Sequence, residues 1–422
     1  MRPPDGAVPG DAVDAPAPAA RARRPELDAL RLAVVLGLVL FHSALVFDAS
    51  DPDFYVKNET TTEVTTILAG AAVVWAMPAL FAVSGWAARQ SLTRRSPAGF
   101  ARERLLRLGV PLLVATVLLL PFPVWVRERT REGSDVSYAE LYRQFFDMRL
   151  EPAEAPFVVQ GEHFESGHLW FVVLLLTWSL LLALAAAVLA RLAPRVLQPG
   201  GLDGVGRAAS RHRGVVLLPA VGTAALCLPG LEQEYAGWPR WGYLAFFAGG
   251  VVLGGDERLR AAVRRDAPLA AAAGGALFAG GLVAFLVADA AAADAFTVGD
   301  PAGVAFRALF GAAGWLFVVA ILGGLDRWAL RRAAGRAARG PIGGPPSAGA
   351  RAYAALLAAA LPLYVLHQPV VVGVAWLVTP WRAPIVVELL VVVVASAAVL
   401  LVVYDLGVRR WSVTRRAFGM RG

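Results

Sequence analysis

The sequence of 422 residues contains a single cysteine and a single lysine. Cys227 has no second cysteine to pair with, so an intramolecular disulfide and a cysteine-rich metal site are both excluded. Every basic residue other than Lys57 is an arginine. Because such a bias reflects genome composition as much as chemistry, we do not interpret each arginine as a phosphate ligand.

The sequence also lacks the polarity of a soluble domain. Hydrophobic residues make up 57% of the chain and the mean hydropathy is +0.58, which together indicate a polytopic membrane protein. The net charge is +8, but the basic residues form short clusters between apolar stretches. This arrangement predicts loops against an anionic lipid leaflet and no nucleic-acid partner.

Ten apolar stretches approach the length that a bilayer requires. They lie near residues 28 to 47, 67 to 88, 106 to 126, 168 to 190, 214 to 230, 238 to 255, 267 to 288, 305 to 325, 353 to 379 and 384 to 405. The fifth and sixth stretches are the least secure of the ten as membrane-spanning segments. The predicted fold class is therefore an all-α polytopic membrane protein with about ten transmembrane helices.

Charge alternates between the gaps that separate these stretches. Arginines concentrate before the first stretch, in the even-numbered gaps and in the C-terminal tail, whereas Asp and Glu follow the first, fifth and seventh stretches. Positive charge marks the cytoplasmic side of membrane proteins. The alternation predicts that both termini are cytoplasmic and that the chain crosses the plasma membrane several times.

The chain divides into a membrane domain and two tails. Residues 1–24 are rich in Pro and Ala, which predicts a disordered cytoplasmic tail and not a signal peptide. Residues 25–410 form the predicted membrane domain, with an outer loop at 127–167 and an inner linker at 326–351, and residues 411–422 form a second cytoplasmic tail. No internal repeat is apparent, so an inverted-repeat transporter lacks its best sequence signature.

Arg31 and His42 lie eleven positions apart in the first apolar stretch. Eleven steps of 100° come within about 20° of three full turns, so both side chains share one helix face about 16 Å apart. Ionisable groups inside a membrane are costly and usually serve a pathway or a reaction. The alternative is an arginine that reaches the membrane surface and a histidine that is satisfied in the core.

Three further ionisable side chains lie within or at the ends of apolar stretches. His367, like His42, lies about 21 Å from the inner end of its stretch in an apolar core about 30 Å thick. His168 begins the fourth stretch, and Glu388 begins the last one about 6 Å below the outer surface. Glu388 is a candidate partner of either deep histidine, or it reaches the outer interface. These four residues are the candidate catalytic group.

Polar and small residues also mark the inner side of the second and third stretches. Ser84 and Gly85 close the second stretch, and Arg102, Arg104 and Arg107 open the third. Arg104 and Arg107 are three positions apart and neighbour each other on a helix face, which suits them to grip phosphate oxygens. The alternative is that these arginines set the topology and contact lipid headgroups.

Five sequence strings together resemble the type-3 membrane acyltransferase family. They are PELDALRLAVVLGLVLFHSALVF from residue 25, FAVSGW at 81–86, RERLLRLGVP at 102–111, HLWFV at 168–172 and LPLYVLHQPVV at 361–371. The first and last strings are most similar to the glucan succinyltransferase-like branch. The resemblance covers about residues 24 to 410. It implies about ten membrane helices that move an acyl group from cytoplasmic acyl-CoA to a hydroxyl outside.

The resemblance also implies roles for single residues. His42 matches the essential histidine of the family, as general base on the acceptor or as transient acyl carrier, and imidazole suits both roles. Arg31 matches the arginine that binds the nucleotide end of CoA. Arg102 and Arg104, with Arg107 beside them, match a basic element on the cytoplasmic side. Ser84 and Gly85 match a turn near the donor, and His168 and His367 match histidines whose roles are not separated.

The predicted function is thus an O-acyltransferase with acetyl-CoA or succinyl-CoA as donor and no metal. Its acceptor is a glucan, another envelope carbohydrate or a secreted glycoside, and acceptor choice falls to the outer loops and the cavity. A proton-coupled transporter or flippase with membrane-embedded histidines is the alternative, and a non-catalytic scaffold is a second one. The sequence leaves open which acyl group is moved, which acceptor receives it and what the oligomeric state is. It also leaves open whether transfer is direct or passes through an acyl-enzyme intermediate.

Overall fold

A computed structural model describes most of the chain. It covers residues 24–49, 51, 53–131, 134–192, 203–291, 294–297, 299–337 and 347–420. The predicted tail 1–24 lies outside these residues except for Arg24. The middle of the predicted linker 326–351 and the last two residues of the predicted tail 411–422 lie outside them as well.

The described chain is almost entirely helical. The α-helices are α1 (Pro25–Leu45), α2 (Glu63–Val73), α3 (Ala76–Leu92), α4 (Pro97–Arg104), α5 (Val110–Leu118), α6 (Pro121–Thr130), α7 (Tyr138–Phe145), α8 (Trp170–Leu192), α9 (Asp203–Arg211), α10 (Pro219–Cys227), α11 (Arg240–Leu253), α12 (Glu257–Ala290), α13 (Pro301–Ala337), α14 (Ala348–Val378), α15 (Ile385–Val403) and α16 (Ser412–Ala417). Two short strands, β1 (Met148–Leu150) and β2 (Val159–Gly161), pair antiparallel between α7 and α8.

Eight helical stretches of the described chain are long and apolar enough to cross a membrane. They coincide with eight of the ten predicted stretches, so the prediction of an all-α polytopic membrane protein is confirmed. The fifth and sixth predicted stretches contain shorter helices, α10 with 9 residues and α11 with 14 residues. At 1.5 Å per residue these helices span about 14 and 21 Å, less than an apolar core of about 30 Å.

Small residues allow α3 and α11 to approach closely. A Cβ atom built on Gly85 of α3 would lie 1.9 Å from the carbonyl oxygen of Phe247, and one on Gly250 of α11 would lie 1.9 Å from that of Ala82. Helices in lipid associate through such close packing because burial of apolar surface supplies little driving force there. Gly85 is therefore a packing residue of the α3 and α11 pair.

Wide helical turns interrupt two of the membrane helices. The segment Leu105–Gly109 between α4 and α5 is π-helical, as is Tyr404–Arg409 after α15. The first of these turns ends two positions before Pro111, which has no N–H to donate to an α-helical hydrogen bond. A π turn adjusts the helix to this missing donor and is frequently found at functional sites.

The loop between α1 and α2 folds back onto the end of the bundle. The backbone N–H of Asn58 donates to the carbonyl of Val46 at 3.0 Å, and Thr62 donates to Phe47 at 2.9 Å. These bonds hold the middle of the loop inward, so that Phe54 and Tyr55 are buried. We call this end of the bundle the loop end and the end that carries Arg31 the basic end.

Candidate active site

Three histidines from three separate segments meet within the bundle near the loop end. His42 lies in the last turn of α1, His168 in the short 3-10 helix Gly167–Leu169, and His367 in the middle of α14. The ring centroids of His42 and His367 are 4.9 Å apart, and those of His168 and His367 are 5.0 Å apart. The sequence predicted all three as site residues, and the fold brings them into one cluster.

Backbone carbonyl groups fix two of these rings. His168 Nε2 lies 2.9 Å from the carbonyl oxygen of Val365, and His367 Nδ1 lies 2.5 Å from that of Tyr364. A carbonyl oxygen only accepts hydrogen bonds, so each of these nitrogens carries the proton of a neutral ring. The other nitrogens, His168 Nδ1 and His367 Nε2, are then acceptors. Both are buried, and neither has a hydrogen-bond partner within the described residues.

His42 is the histidine with the most open surroundings. Its ring is half-buried, whereas those of His168 and His367 are 4% and 1% exposed. Phe54 stacks on it with the ring centroids 6.2 Å apart, and Phe41 meets it edge-on at 5.2 Å. His42 Nδ1 is buried and has no hydrogen-bond partner in the described part of the chain. Two nitrogens without partners, one on His42 and one on His367, thus belong to adjacent rings.

A single large cavity of about 1150 Å³ contains this cluster in its wall. Along α1 its lining runs from Ala33 and Val34 through Gly37 and Phe41 to His42, and then reaches the loop end. Ala33 is only two positions from Arg31, so the cavity extends from the loop end to within one helical turn of the basic end. Leu112 of α5 and Trp170 and Val173 of α8 line the same space.

Three arginines converge at the basic end. Arg31 Nη2 donates to the carbonyl oxygen of Val83 at 3.1 Å, which joins α1 to the residue before Ser84. Arg31 lies within electrostatic range of Arg104 and Arg107, so their like charges repel one another. This repulsion would be relieved by an anion bound between them.

Two carboxylates partly balance these arginines. Asp28 Oδ1 lies 3.5 Å from Arg31 Nη1, and Glu103 lies 3.5 Å from Arg104 Nε and 3.7 Å from Arg107 Nη1. Sequence reasoning treated the arginines alone and overlooked both acids. At more than 3.2 Å these are loose ion pairs rather than short hydrogen bonds, so an anion with several oxygens can compete with them.

The remaining predicted residues lie apart from the histidine cluster. Ser84 is half-buried beside Val83, Gly85 packs against α11, and the Arg102 side chain is exposed. Glu388 is buried, and its Oε1 accepts a hydrogen bond of 2.7 Å from the backbone N–H of Ala383. Glu388 does not line the cavity of the histidines. Its recorded partner is the backbone before α15, which argues against the predicted pairing with His42 or His367.

Several polar residues at the loop end were not predicted from the sequence. Tyr364 donates its hydroxyl to the carbonyl oxygen of His168, and Tyr55, Arg127 and Glu165 contact one another in the cavity wall. Tyr364 lies three positions before His367 and therefore about one helical turn away, so this spacing could have predicted it as a site residue. The other three belong to a helix end and two loops, whose approach depends on the tertiary fold.

A protein-family model described as an acyltransferase domain matches residues 24–408, which is nearly the whole chain. No curated protein and no solved structure matches the chain.

Proposed function

Because the chain belongs to the type-3 acyltransferase family and is therefore a membrane acyltransferase, we propose that it moves an acyl group from acyl-CoA to a hydroxyl of a carbohydrate or glycoside. The observation that carries this proposal is the cavity that runs from Ala33, two positions after Arg31, past His42 to the loop end. A donor held at the basic end and an acceptor that enters from the loop end can meet in this cavity. His42 lines the cavity between the two ends.

The donor is held by its phosphates at the basic end. Arg31, Arg104 and Arg107 supply three positive charges there, and guanidinium groups pair well with phosphate oxygens. From Arg31 to His42 the helix rises by about 16 Å. The flexible arm of CoA bridges this distance, so the charged nucleotide stays at the membrane surface while the thioester reaches His42.

The acyl group transfers at His42. Nε2 of His42 takes the proton of the acceptor hydroxyl, and the hydroxyl oxygen forms a bond to the thioester carbon. The bond between that carbon and sulfur then breaks, and the thiolate of CoA takes the proton from His42. Holding both substrates in a cavity with largely apolar walls supplies proximity and strengthens the electrostatic interactions in the transition state.

We favour acetyl over succinyl as the acyl group. The lining between Ala33 and His42 is apolar on the α1 side, and Arg127 near the loop end is the only arginine or lysine among the described lining residues. That arginine pairs with Glu165. A succinyl carboxylate near His42 would thus find no cationic partner, and an unpaired charge in such a site is costly.

The orientation follows from the arrangement of charge. We place the basic end in the cytoplasm, where acyl-CoA is found, and the loop end outside the plasma membrane. The acceptor is then an extracytoplasmic glucan, another envelope carbohydrate or a secreted glycoside.

The test is turnover by the purified protein and its His42→Gln variant. Release of free thiol from acetyl-CoA should depend on added methyl glycoside, and mass spectrometry should detect the acetylated glycoside. Gln keeps the volume and hydrogen bonding of His42 but cannot take up a proton near neutral pH, so we expect at least a hundredfold loss. Turnover within tenfold of the parent would show that His42 is neither base nor acyl carrier.

The same assay separates the competing functions. A transporter or flippase would move substrate across vesicles without thiol release, and a scaffold would do neither. Intersecting initial-rate lines are expected for direct transfer, whereas parallel lines would indicate an acyl group carried on His42. His42→Gln should still bind acetyl-CoA, because the phosphates bind at the other end of the cavity.

A further inference from the structure

Three side chains from three segments form a hydrogen-bonded cluster in the cavity wall at the loop end. The Tyr55 hydroxyl donates to Glu165 Oε1, and Arg127 Nη2 donates to Glu165 Oε2 at 2.8 Å. The guanidinium carbon of Arg127 also lies 5.3 Å from the centroid of the Tyr55 ring, in cation–π range. We call Tyr55, Arg127 and Glu165 the loop-end cluster.

The loop-end cluster faces the same cavity as the histidines. All three of its members line that cavity together with His42, His168 and His367. Glu165 precedes His168 by three positions, and Gly167 between them has φ +45°, a conformation that favours glycine. A Cβ atom at Gly167 would lie 3.1 Å from the Tyr55 hydroxyl, so glycine also leaves room for the cluster.

The loop-end cluster retains capacity to bind further polar groups. The side chains of Arg127 and Glu165 are 22% and 28% exposed, so cavity contents can reach them. Each carboxylate oxygen of Glu165 holds one recorded donor and has a second lone pair, and Arg127 has N–H groups beyond the one bound to Glu165. Burial first, and then the charge of Glu165, raise the pKa of Tyr55 well above its usual range. Tyr55 therefore stays a protonated donor to Glu165.

Charge in the cavity favours a neutral ligand at this position. The charges of Arg127 and Glu165 cancel, while Asp48, Asp51, Asp53 and Glu234 line the same cavity. An anionic ligand would meet these carboxylates with no unpaired cation among the described lining residues to offset them. Lys57, which lies near Asp48 and Asp51, donates to the backbone carbonyls of Leu45 and Asp48.

Aromatic rings surround the same space. Trp75, Phe164, Trp170 and Tyr235 line the cavity, and the rings of Trp170 and Tyr235 are 5.9 Å apart. Flat aromatic walls with a few fixed polar groups are typical of sites that bind small molecules with both apolar and polar faces. A sugar ring has such faces, since its C–H groups project from the flat side and its hydroxyls from the rim.

We infer that the loop-end cluster binds the acceptor and recognises a neutral pair of adjacent hydroxyl groups, as found on a sugar ring. Glu165 accepts a hydrogen bond from one hydroxyl, and Arg127 donates to its neighbour. A third hydroxyl of the same ring is then directed toward the histidines. This inference rests on the proposed function, because it assigns the acceptor side of the same cavity.

The test measures binding separately from turnover. Saturation-transfer NMR with the full chain in detergent compares methyl α-glucoside, which is a neutral diol, with the anionic methyl glucuronide. The wild type should bind the glucoside at least tenfold more tightly than the glucuronide. Glu165→Gln keeps the shape of the side chain but weakens both its acceptor strength and its hold on Arg127, so it should weaken glucoside binding at least tenfold.

Glu151→Gln is the matched control. Glu151 is also a carboxylate of the segment before α8 and pairs with Arg149 at 2.5 Å, but it does not line the cavity. This variant should bind the glucoside as the wild type does. If Glu165→Gln lowers the yield of folded protein, Tyr55→Phe keeps the ring packing, removes one donor to Glu165 and should weaken binding at least threefold.

Three results would overturn the inference: a wild type that binds neither sugar, equal binding of both sugars, or a Glu165→Gln variant at wild-type affinity. Thiol release from acetyl-CoA, measured on the same samples, distinguishes these results from failure of the proposed function. If sugar binding depends on Glu165 but no thiol is released, the proposed acyl transfer is rejected and the role of the loop-end cluster is retained. If thiol release depends on the glycoside and is unchanged in Glu165→Gln, the role of the loop-end cluster is rejected and the proposed acyl transfer is retained.

Discussion

His168 and His367 each donate one ring N–H to a backbone carbonyl group, while Nδ1 of His42 has no hydrogen-bond partner among the described residues. The committed rings cannot turn without losing that bond. We therefore interpret His367 as a positioning residue, whose Nε2 accepts the Nδ1 proton of His42 when donor and acceptor are bound. His42 would then present its Nε2 lone pair to the cavity, which is the state that a general base requires.

His367 should respond differently to two amide substitutions. In His367→Gln the longer side chain can place an acceptor where Nε2 stood, whereas in His367→Asn the amide reaches only the position of Nδ1. We expect His367→Asn to lower kcat by about tenfold or more, with little change in the KM for acetyl-CoA or for the glycoside. His367→Gln should retain most of the wild-type kcat. Steady-state kinetics on proteins of equal melting temperature checks this. Equal losses in both variants would indicate a structural role only.

Glu103 should weaken donor binding. Its carboxylate lies near both Arg104 and Arg107 and competes with the phosphates that we assign to them. Glu103→Gln should lower the KM for acetyl-CoA about twofold to fivefold, as expected from loss of one partly exposed ion pair. Arg104→Gln should raise the same KM, and kcat should stay similar in both.

The measurement is the initial rate as a function of acetyl-CoA at saturating glycoside. Arg102→Gln serves as the comparison, because the Arg102 side chain is exposed, whereas the Arg104 side chain is half-buried beside Glu103. An effect of Arg102→Gln as large as that of Arg104→Gln would favour a general surface attraction over a defined phosphate site.

At the scale of helices and loops, periodicity predicted which segments are helical but not how they are interrupted. The face shared by Arg31 and His42 depends only on the regular turn of α1, and the structure retains this helix from Pro25 to Leu45. The π turn at Leu105–Gly109 begins between Arg104 and Arg107 and changes the α-helical spacing assumed for them. A hydrophobic pattern does not predict such a turn, although the proline at position 111 indicates that the helix is irregular there.

Gly85 tests packing between helices. A Cβ at this position would lie 1.9 Å from a backbone oxygen of α11, which cannot move away as a flexible side chain would. Gly85→Ala should therefore destabilise the protein by about 1–3 kcal/mol and lower its melting temperature in detergent. Gly275→Ala in α12 is the control, since nothing lies within 4 Å of its added Cβ. A normal melting temperature together with a raised KM for acetyl-CoA would instead support the predicted donor-site role of Gly85.

At the scale of the whole molecule, helices α1 to α3, α5, α6, α8 and α12 to α14 line a cavity that reaches from the loop end toward the basic end. The value of this arrangement for acyl transfer depends on its orientation in the membrane. If the basic end faced outward, the arginines would be separated from cytoplasmic acyl-CoA.

Labelling of single cysteines determines this orientation. In a Cys227→Ala background, cysteines at the exposed positions Glu59, Glu162 and Asp294 should react with a membrane-impermeant maleimide on intact cells. Cysteines at the exposed positions Arg95, Arg207 and Arg331 should react only after permeabilisation. Reaction of position 95 on intact cells would reverse the orientation and with it the assignment of the donor end.

The sequence by itself determined the features that depend on local order along the chain. Apolar length predicted the membrane helices, and helical periodicity placed Arg31 and His42 on one face. The weakest stretches, the fifth and sixth, were those in which the structure has short helices, because 9 and 14 residues carry too little apolar length for a strong signal. Five short strings were enough to predict the family that the match over residues 24–408 shows.

Only the tertiary structure decided which distant residues meet. His42 and His367 are 325 positions apart and Tyr55 and Glu165 are 110 positions apart, so no periodicity along the chain relates them. The fold also brought His168 into contact with His367, and Arg31 of α1 to the carbonyl group of Val83 in α3. Helix packing sets these contacts, since in a membrane close approach depends on which small residues face each other and not on hydrophobicity.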